Sequence, residues 1–186
     1  MKKLLVTGAL LGLMSTTAFA EDGIYAKLLG GVNLEAPQYW GGAYYNMNTG
    51  FAGAAALGYY IAPQVSLEAD VMYTSSSYNC CSTNTLSSLS LMGNAIFHVN
   101  DTGPVQFYLG AGLGVVDLSY TATTNAKSGS QFTFGGQAIA GVEVPLASNI
   151  SLLAEYRYQV AGNTTSTPAL FGYNSHNAMV GLQFKF

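Results

Sequence analysis

The sequence predicts an all-β chain: an eight-stranded antiparallel up-and-down transmembrane β-barrel. Three observations predict it. From residue 177 to 186 the chain alternates without a break, with Ala178, Val180, Leu182, Phe184 and Phe186 on one face and Asn177, Met179, Gly181, Gln183 and Lys185 on the other. A strand of about ten residues is what crosses a bilayer at a tilt of roughly 45°. Seven further segments of the same period precede it, an even total as bacterial barrels require. Finally, 49% of the residues are hydrophobic and only 8% charged, against about a quarter charged in a soluble domain.

The first element is a leader. Lys2 and Lys3 form a positive start, Leu4 to Met14 an apolar run, and Ala18-Phe19-Ala20 a small-x-small cleavage site before Glu21, the three parts of a secretory signal. Its apolar run is far short of the ~20 residues of a spanning helix. No cysteine stands at the cleavage site, so ordinary processing after Ala20 is expected instead of a lipid anchor. Residues 1–20 therefore read as a cleaved signal peptide and 21–186 as one barrel domain, with no linker or composition shift to divide it. Cleavage leaves four basic residues, Lys27, Lys127, Arg157 and Lys185, against nine acids, a formal charge of −5. That balance argues against a nucleic-acid partner.

The eight alternating segments cover roughly 23–33, 50–61, 65–75, 87–99, 105–118, 131–145, 150–160 and 173–186. Short connections at 62–64, 100–104 and 146–149 alternate with long ones at 34–49, 76–86, 119–130 and 161–172. In this class, short turns are periplasmic and long loops external. No helix is needed.

Period alone does not say which face looks outward, because a soluble barrel alternates as well. One face is bulky and apolar, as in Val65, Leu67, Val71 and Tyr73, while the other is rich in glycine, serine and charge. A narrow eight-stranded interior suits the small residues, so the bulky face is expected to meet lipid. Its aromatics gather at strand ends: Tyr59, Phe97, Phe107, Phe184 and Phe186 toward the short turns, and Phe51, Tyr73, Phe132, Phe134, Tyr156 and Tyr158 toward the long loops. Those are two interfacial girdles. Asp117 breaks the phase. Either a bulge within Gly110 to Gly114 turns Val116, Leu118 and Tyr120 outward, or Asp117 lies outward above the hydrocarbon.

The strand charges Lys27, Glu68, Asp70, Glu143, Glu155, Arg157 and Lys185 fall on the small-residue face, where each avoids a cost of up to about 2–4 kcal/mol for a basic residue at mid-membrane. They are expected to pair around Arg157, whose planar fork holds two carboxylates, with Glu68, Asp70, Glu143 and Glu155 as candidates. Such a network plugs a filled core, or it gates a narrow ion path; the plug is the simpler reading.

Catalysis is not expected. His176 follows Ser175, but neighbours in a strand point to opposite faces and do not form a nucleophile and base. His98 lies at the other end of the barrel, read as a rim residue wetted by solvent. No His, Cys and carboxylate set has metal-ligand spacing, and no cofactor is implied. Cys80 and Cys81 are adjacent in the second long connection. An intermolecular disulfide, a strained vicinal bridge and free thiols are all open readings. The first long connection is aromatic, with Tyr39, Trp40, Tyr44 and Tyr45, residues suited either to the outer girdle or to an external contact with a host or matrix ligand.

The signal ending in Ala18-Phe19-Ala20, the Gly23-Ile24-Tyr25 opening strand, the Gly-Ala-Gly-Leu-Gly run at 110–114 and the Gly181-Leu182-Gln183-Phe184-Lys185-Phe186 end resemble the small bacterial outer-membrane β-barrel proteins, the porin-like, opacity and OmpA/OmpX-type superfamily. The resemblance implies a Gram-negative outer-membrane location among lipid and lipopolysaccharide. It implies that the last strand is read by the barrel-assembly machinery through Phe186, with Phe184 and Leu182 in support. Members of the superfamily are envelope structural proteins, adhesins or surface antigens, and a few are narrow pores. With no peptidoglycan-binding domain after the barrel, the anchoring role of the longer relatives is not implied. The expected function is thus non-enzymatic, exercised by the external loops as adhesin or antigen, with a narrow channel as the alternative.

Overall fold

A strand that separates two unlike environments needs side chains of alternating character, and the chain meets that demand eight times over. The computed structural model describes residues 23–35, 38–40, 43–45, 47–77, 85–100, 103–121, 129–162 and 173–186. The strands are β1 (Ile24–Glu35), β2 (Gln38–Trp40), β3 (Ala43–Tyr45), β4 (Gly50–Ala62), β5 (Val65–Ser77), β6 (Thr85–His98), β7 (Gln106–Thr121), β8 (Gly129–Ala147), β9 (Ile150–Ala161) and β10 (Tyr173–Lys185). Eight of them close a ring in the order β1-β10-β9-β8-β7-β6-β5-β4. Every neighbouring pair is antiparallel, and β1 closes the ring against β4 on one side and β10 on the other. Among the described residues the ring has no unpaired edge strand, which is the condition for a sheet to sit in lipid.

β2 and β3 fall within the first long connection, where the membrane-length period predicts no strand. They form a small antiparallel hairpin with Tyr39 opposite Tyr44 and Trp40 opposite Ala43. The Gly41-Gly42 pair between them is a two-residue hairpin signal, too local to stand out in a search for membrane-length strands.

The bulky face is outside. Leu28, Val32, Leu57, Leu67, Leu91, Leu109, Leu152 and Val180 are all exposed, and Tyr59, Phe97, Phe107, Phe51, Phe132, Phe134 and Tyr156 are exposed with them at the strand ends. The inner face is not made of small residues alone. Tyr25, Tyr108, Met72, Ile96 and Leu153 are fully buried inside it. Space for them comes from their neighbours: β4 contributes only Ala52, Ala54, Ala56 and Gly58 to the described lumen between residues 52 and 58. A Cβ on Gly58 would meet the Tyr25 ring, and one on Gly141 the Tyr108 ring.

Asp117 is settled by register. Pairing of β7 with β6 and with β8 runs unshifted through the glycines, so Gly110 to Gly114 holds no bulge. Val116 and Leu118 point inward and are buried, which overturns the reading that turned them outward. The glycines serve the lumen instead: a Cβ on Gly110, Gly112 or Gly114 would collide with Ile96, Asn94 or Met92. Asp117 faces outward near the long-loop end of β7, opposite Phe132. The real irregularities lie beside short turns, between Tyr60 and Ala62 and between Pro145 and Ala147. A proline, which has no N–H to give a ladder, is tolerated at such a bulge.

Because Tyr108 occupies the space that glycine leaves at 141, Gly141→Val is expected to destabilise the barrel by about 1–3 kcal/mol through overpacking. Urea titration, with the faster gel migration of the unboiled barrel as the folded marker, reads this. An unchanged midpoint would mean that the lumen has slack at that level.

Candidate functional site

The inward charges sit where strand parity puts them. Lys27 comes from β1, Glu68 and Asp70 from β5, Glu143 from β8, Glu155 and Arg157 from β9, and Lys185 from β10. All are buried except Lys185, which is partly exposed at the short-turn end. Arg157 is completely buried. Its Nη1 lies 2.8 Å from Asp70 Oδ2 and its Nε 2.7 Å from Glu155 Oε2. β5 and β9 stand on opposite walls of the ring, so the Arg157–Asp70 pair crosses the bore.

Around that pair the charges interlock. Lys27 Nζ reaches Glu68 Oε2 at 2.7 Å and Glu155 Oε1 at 3.3 Å. It also lies 4.6 Å from the centre of the Tyr108 ring, a cation–π distance. Tyr108 Oη donates to Glu155 Oε1 at 2.7 Å, while Asn94 Nδ2 and Gln137 Nε2 both donate to Asp70 Oδ2 at 2.7 Å. Nearer the short turns, Lys185 Nζ pairs with Glu143 Oε1 at 2.7 Å, and Ser151 and Gln183 donate to the same oxygen. Of the carboxylates proposed for Arg157, Asp70 and Glu155 are its partners, while Glu68 and Glu143 serve Lys27 and Lys185.

Buried charges cost several kcal/mol each to dehydrate and persist only when paired and hydrogen-bonded. What the set can do is therefore hold the walls together and fill the bore. Tyr25, Tyr108, Asn94 and Gln137 belong to it and went unnoticed in the sequence, because an isolated tyrosine or amide on an inward position carries no signal until its partner across the lumen is known.

His98 corrects the sequence reading, since it is buried. Its Nε2 lies 3.2 Å from Ser66 Oγ, which is 2.8 Å from Tyr25 Oη, and its ring stacks at 4.9 Å on Tyr60. At this short-turn end it packs against the rings of Tyr60 and Tyr108. His176 faces outward and contacts Tyr156 and Tyr158, while Ser175 is buried inside; the two lie on opposite faces of β10.

Leu182, Phe184 and Phe186 share the outward face, and the Phe186 amide donates to the Ile24 carbonyl at 3.0 Å. Tyr39, Trp40, Tyr44 and Tyr45 lie on the β2–β3 hairpin. Residues 1–20, Cys80 and Cys81 lie outside the described residues. No three His, Cys, Asp or Glu side chains gather around a metal-sized space among the described residues. A hollow of about 650 Å³ opens on the outer face where residues shrink to Gly30, Ala140, Ala154 and Ala178; it faces acyl chains, not the lumen.

Removing one partner of a buried pair strands the other, so Arg157→Met is expected to cost about 3–5 kcal/mol. Adding Asp70→Asn should recover part of that loss, because the amide no longer needs a cation. Urea midpoints of the single and double variants measure both. Equal losses would show that Asp70 does not depend on Arg157.

The description "Outer membrane protein beta-barrel domain" fits the family model that matches residues 6–186. No curated protein matches the chain by sequence. Among solved structures, Neisserial surface protein A superposes with a TM-score of 0.69 at 22% identity, covering 88% of this chain and 97% of that one. Ail, the attachment invasion locus protein of Yersinia pestis, in complex with the heparin analogue sucrose octasulfate, gives 0.55 at 14% identity, covering 89% and 100%. OprG from Pseudomonas aeruginosa gives 0.53 at 12% identity, covering 89% and 97%. At these identities the superpositions show a shared fold, and the family match, which spans nearly the whole chain, makes this protein a member of the outer membrane protein β-barrel domain family.

Proposed function

We propose that the protein is a non-enzymatic outer-membrane barrel whose filled lumen is scaffold and whose external loops bind outside the cell, as an adhesin or surface antigen. The observation that carries this reading is the Arg157–Asp70 pair across the bore. A lumen held shut by buried ion pairs leaves the loops as the place for recognition. Residues 1–20 act as the cleaved export signal, and Leu182, Phe184 and Phe186 are read by the assembly machinery. Lipid and lipopolysaccharide surround the outward face.

The loop chemistry narrows the ligand. The long connections carry Lys127 as their one basic residue, which disfavours a polysulfated ligand such as the heparin analogue bound to Ail. Tyr39, Trp40, Tyr44 and Tyr45 on a hairpin suit aromatic anchoring on a protein surface. Met47 packs against the inner apolar cluster, so the hairpin is removable only up to residue 45. Replacing 38–45 by a short Gly-Ser turn should leave barrel formation intact and reduce adhesion of displaying cells to an extracellular-matrix protein coat to background. Retained adhesion would remove the hairpin from this role.

A narrow channel is the second reading, favoured by polar side chains along the whole lumen, from Ser66 and Gln183 to Gln159 and Ser76. The refolded barrel is expected to be silent in a planar bilayer. Ion-selective steps that change with Arg157→Met would replace the scaffold reading with a gated pore.

A further inference from the structure

Side chains that make no hydrogen bond at all gather in one part of the lumen. Along the short-turn end and the middle of the bore, residues with an unpartnered atom still use another: Glu68, Asp70, Glu143, Arg157, Gln137 and Gln183 each make hydrogen bonds or ion pairs. Toward the long loops, whole side chains stand without a protein partner. Both oxygens of Glu35, both amide atoms of Asn33 and Gln159, and Ser76 Oγ are buried and unbonded. Asn177 is fixed by its Nδ2 donating to Ser175 Oγ at 3.1 Å, which leaves Oδ1 unpartnered. Ser76 lies near enough to Glu35 to influence it but outside hydrogen-bonding geometry.

These residues share one end of the barrel. Asn33 is directly opposite Asn177, and Glu35 opposite Ser175, which is in turn opposite Gln159. Ser76 Oγ leans over Gly50, the partner of Asn33 on the other side. Charge singles out the same place. Among the described residues, the lumen acids Glu68, Asp70, Glu143 and Glu155 all contact a lysine or arginine, and Glu35 contacts none. A buried carboxylate and four further unpartnered oxygens form a hard donor set with no cation on its carboxylate; Arg157, opposite Asn177, gives its Nε and Nη1 to Glu155 and Asp70.

We propose that this cluster of side chains binds a hard divalent cation of the Ca²⁺ type, held by the Glu35 carboxylate with the Asn33, Gln159 and Asn177 amide oxygens and Ser76. Carboxylate, amide and hydroxyl oxygens are the ligands such ions take, six to eight at a time, with water completing the shell. A single carboxylate places the site in the weak range of extracellular modules, about 10⁻⁴–10⁻³ M. The site does not depend on whether the loops are adhesive.

The test is terbium, a Ca²⁺ mimic whose emission is excited through nearby tyrosine; Tyr173 lines the same end, its hydroxyl 3.1 Å from Thr74 Oγ1. The protein is refolded in detergent without lipopolysaccharide. Saturable tyrosine-sensitised emission is expected, displaced by Ca²⁺ and not by choline at equal ionic strength. Glu35→Gln should lower it at least tenfold and Asn33→Leu severalfold. Neither variant forfeits a protein hydrogen bond, so both should fold and, in chelator, match or exceed the parent's urea midpoint. Emission that is absent from the folded parent, or unchanged in Glu35→Gln, overturns the site; so does a Glu35→Gln barrel that fails to fold, since the carboxylate would then have an internal partner.

Discussion

One contact organises this barrel: a guanidinium on β9 grips a carboxylate on the wall opposite, with no water needed between them. Neither charge could remain in the lumen alone, and neither could face lipid. The surrounding side chains follow from that demand. Glu155 takes the second edge of the guanidinium, Lys27 balances Glu155 and Glu68, and Tyr108, Asn94 and Gln137 add hydrogen bonds to Glu155 and Asp70. Polar partners come from β1, β5, β6, β7, β8 and β9, while β4 keeps to alanine and glycine on its inward face from residue 52 to 58 and so makes room.

This arrangement inverts a soluble domain. Apolar bulk is outside, where lipid makes it cost nothing, and the polar groups that usually face solvent are enclosed and must satisfy one another. Most of the bore does so with aromatic rings and charges, and the cluster around Glu35 and Asn33 near the long loops does so less completely. That asymmetry separates two jobs along a single bore: rigidity near the short turns, and open polar chemistry near the loops.

Much of this was legible in the sequence, for a physical reason. Period 2 and the scarcity of charge follow from the bilayer itself, so strand positions and the outward face of residues such as Leu152 and Val180 could be read directly. Partners across the lumen could not. Which acid meets Arg157 depends on the stagger of strands around the ring, and no local pattern records that stagger. Parity gives a side chain's face but not its depth, which is why His98 read as a wetted rim residue and proved buried. Asp117 shows the opposite case: glycines that looked like a bulge were answering a demand for space beside Met92 and Asn94, while the period itself was unbroken. The β2–β3 hairpin is shorter than the window that reveals a spanning strand.

The ion pair from Lys27 on β1 to Glu155 on β9 reaches over β10, the strand that seals the ring. It therefore exists only once the first and last strands of the barrel have met. Until then both groups keep their water, and the nascent sheet carries hydrated charge on its concave side. Sealing and dehydration are one event. A seam joined one residue out of step would put Lys27 on the wrong parity for Glu155, and one joined two residues out would part the two charges along the bore. The bridge thus proofreads the closure, rewarding one alignment of β1 on β10 and penalising its nearest competitors.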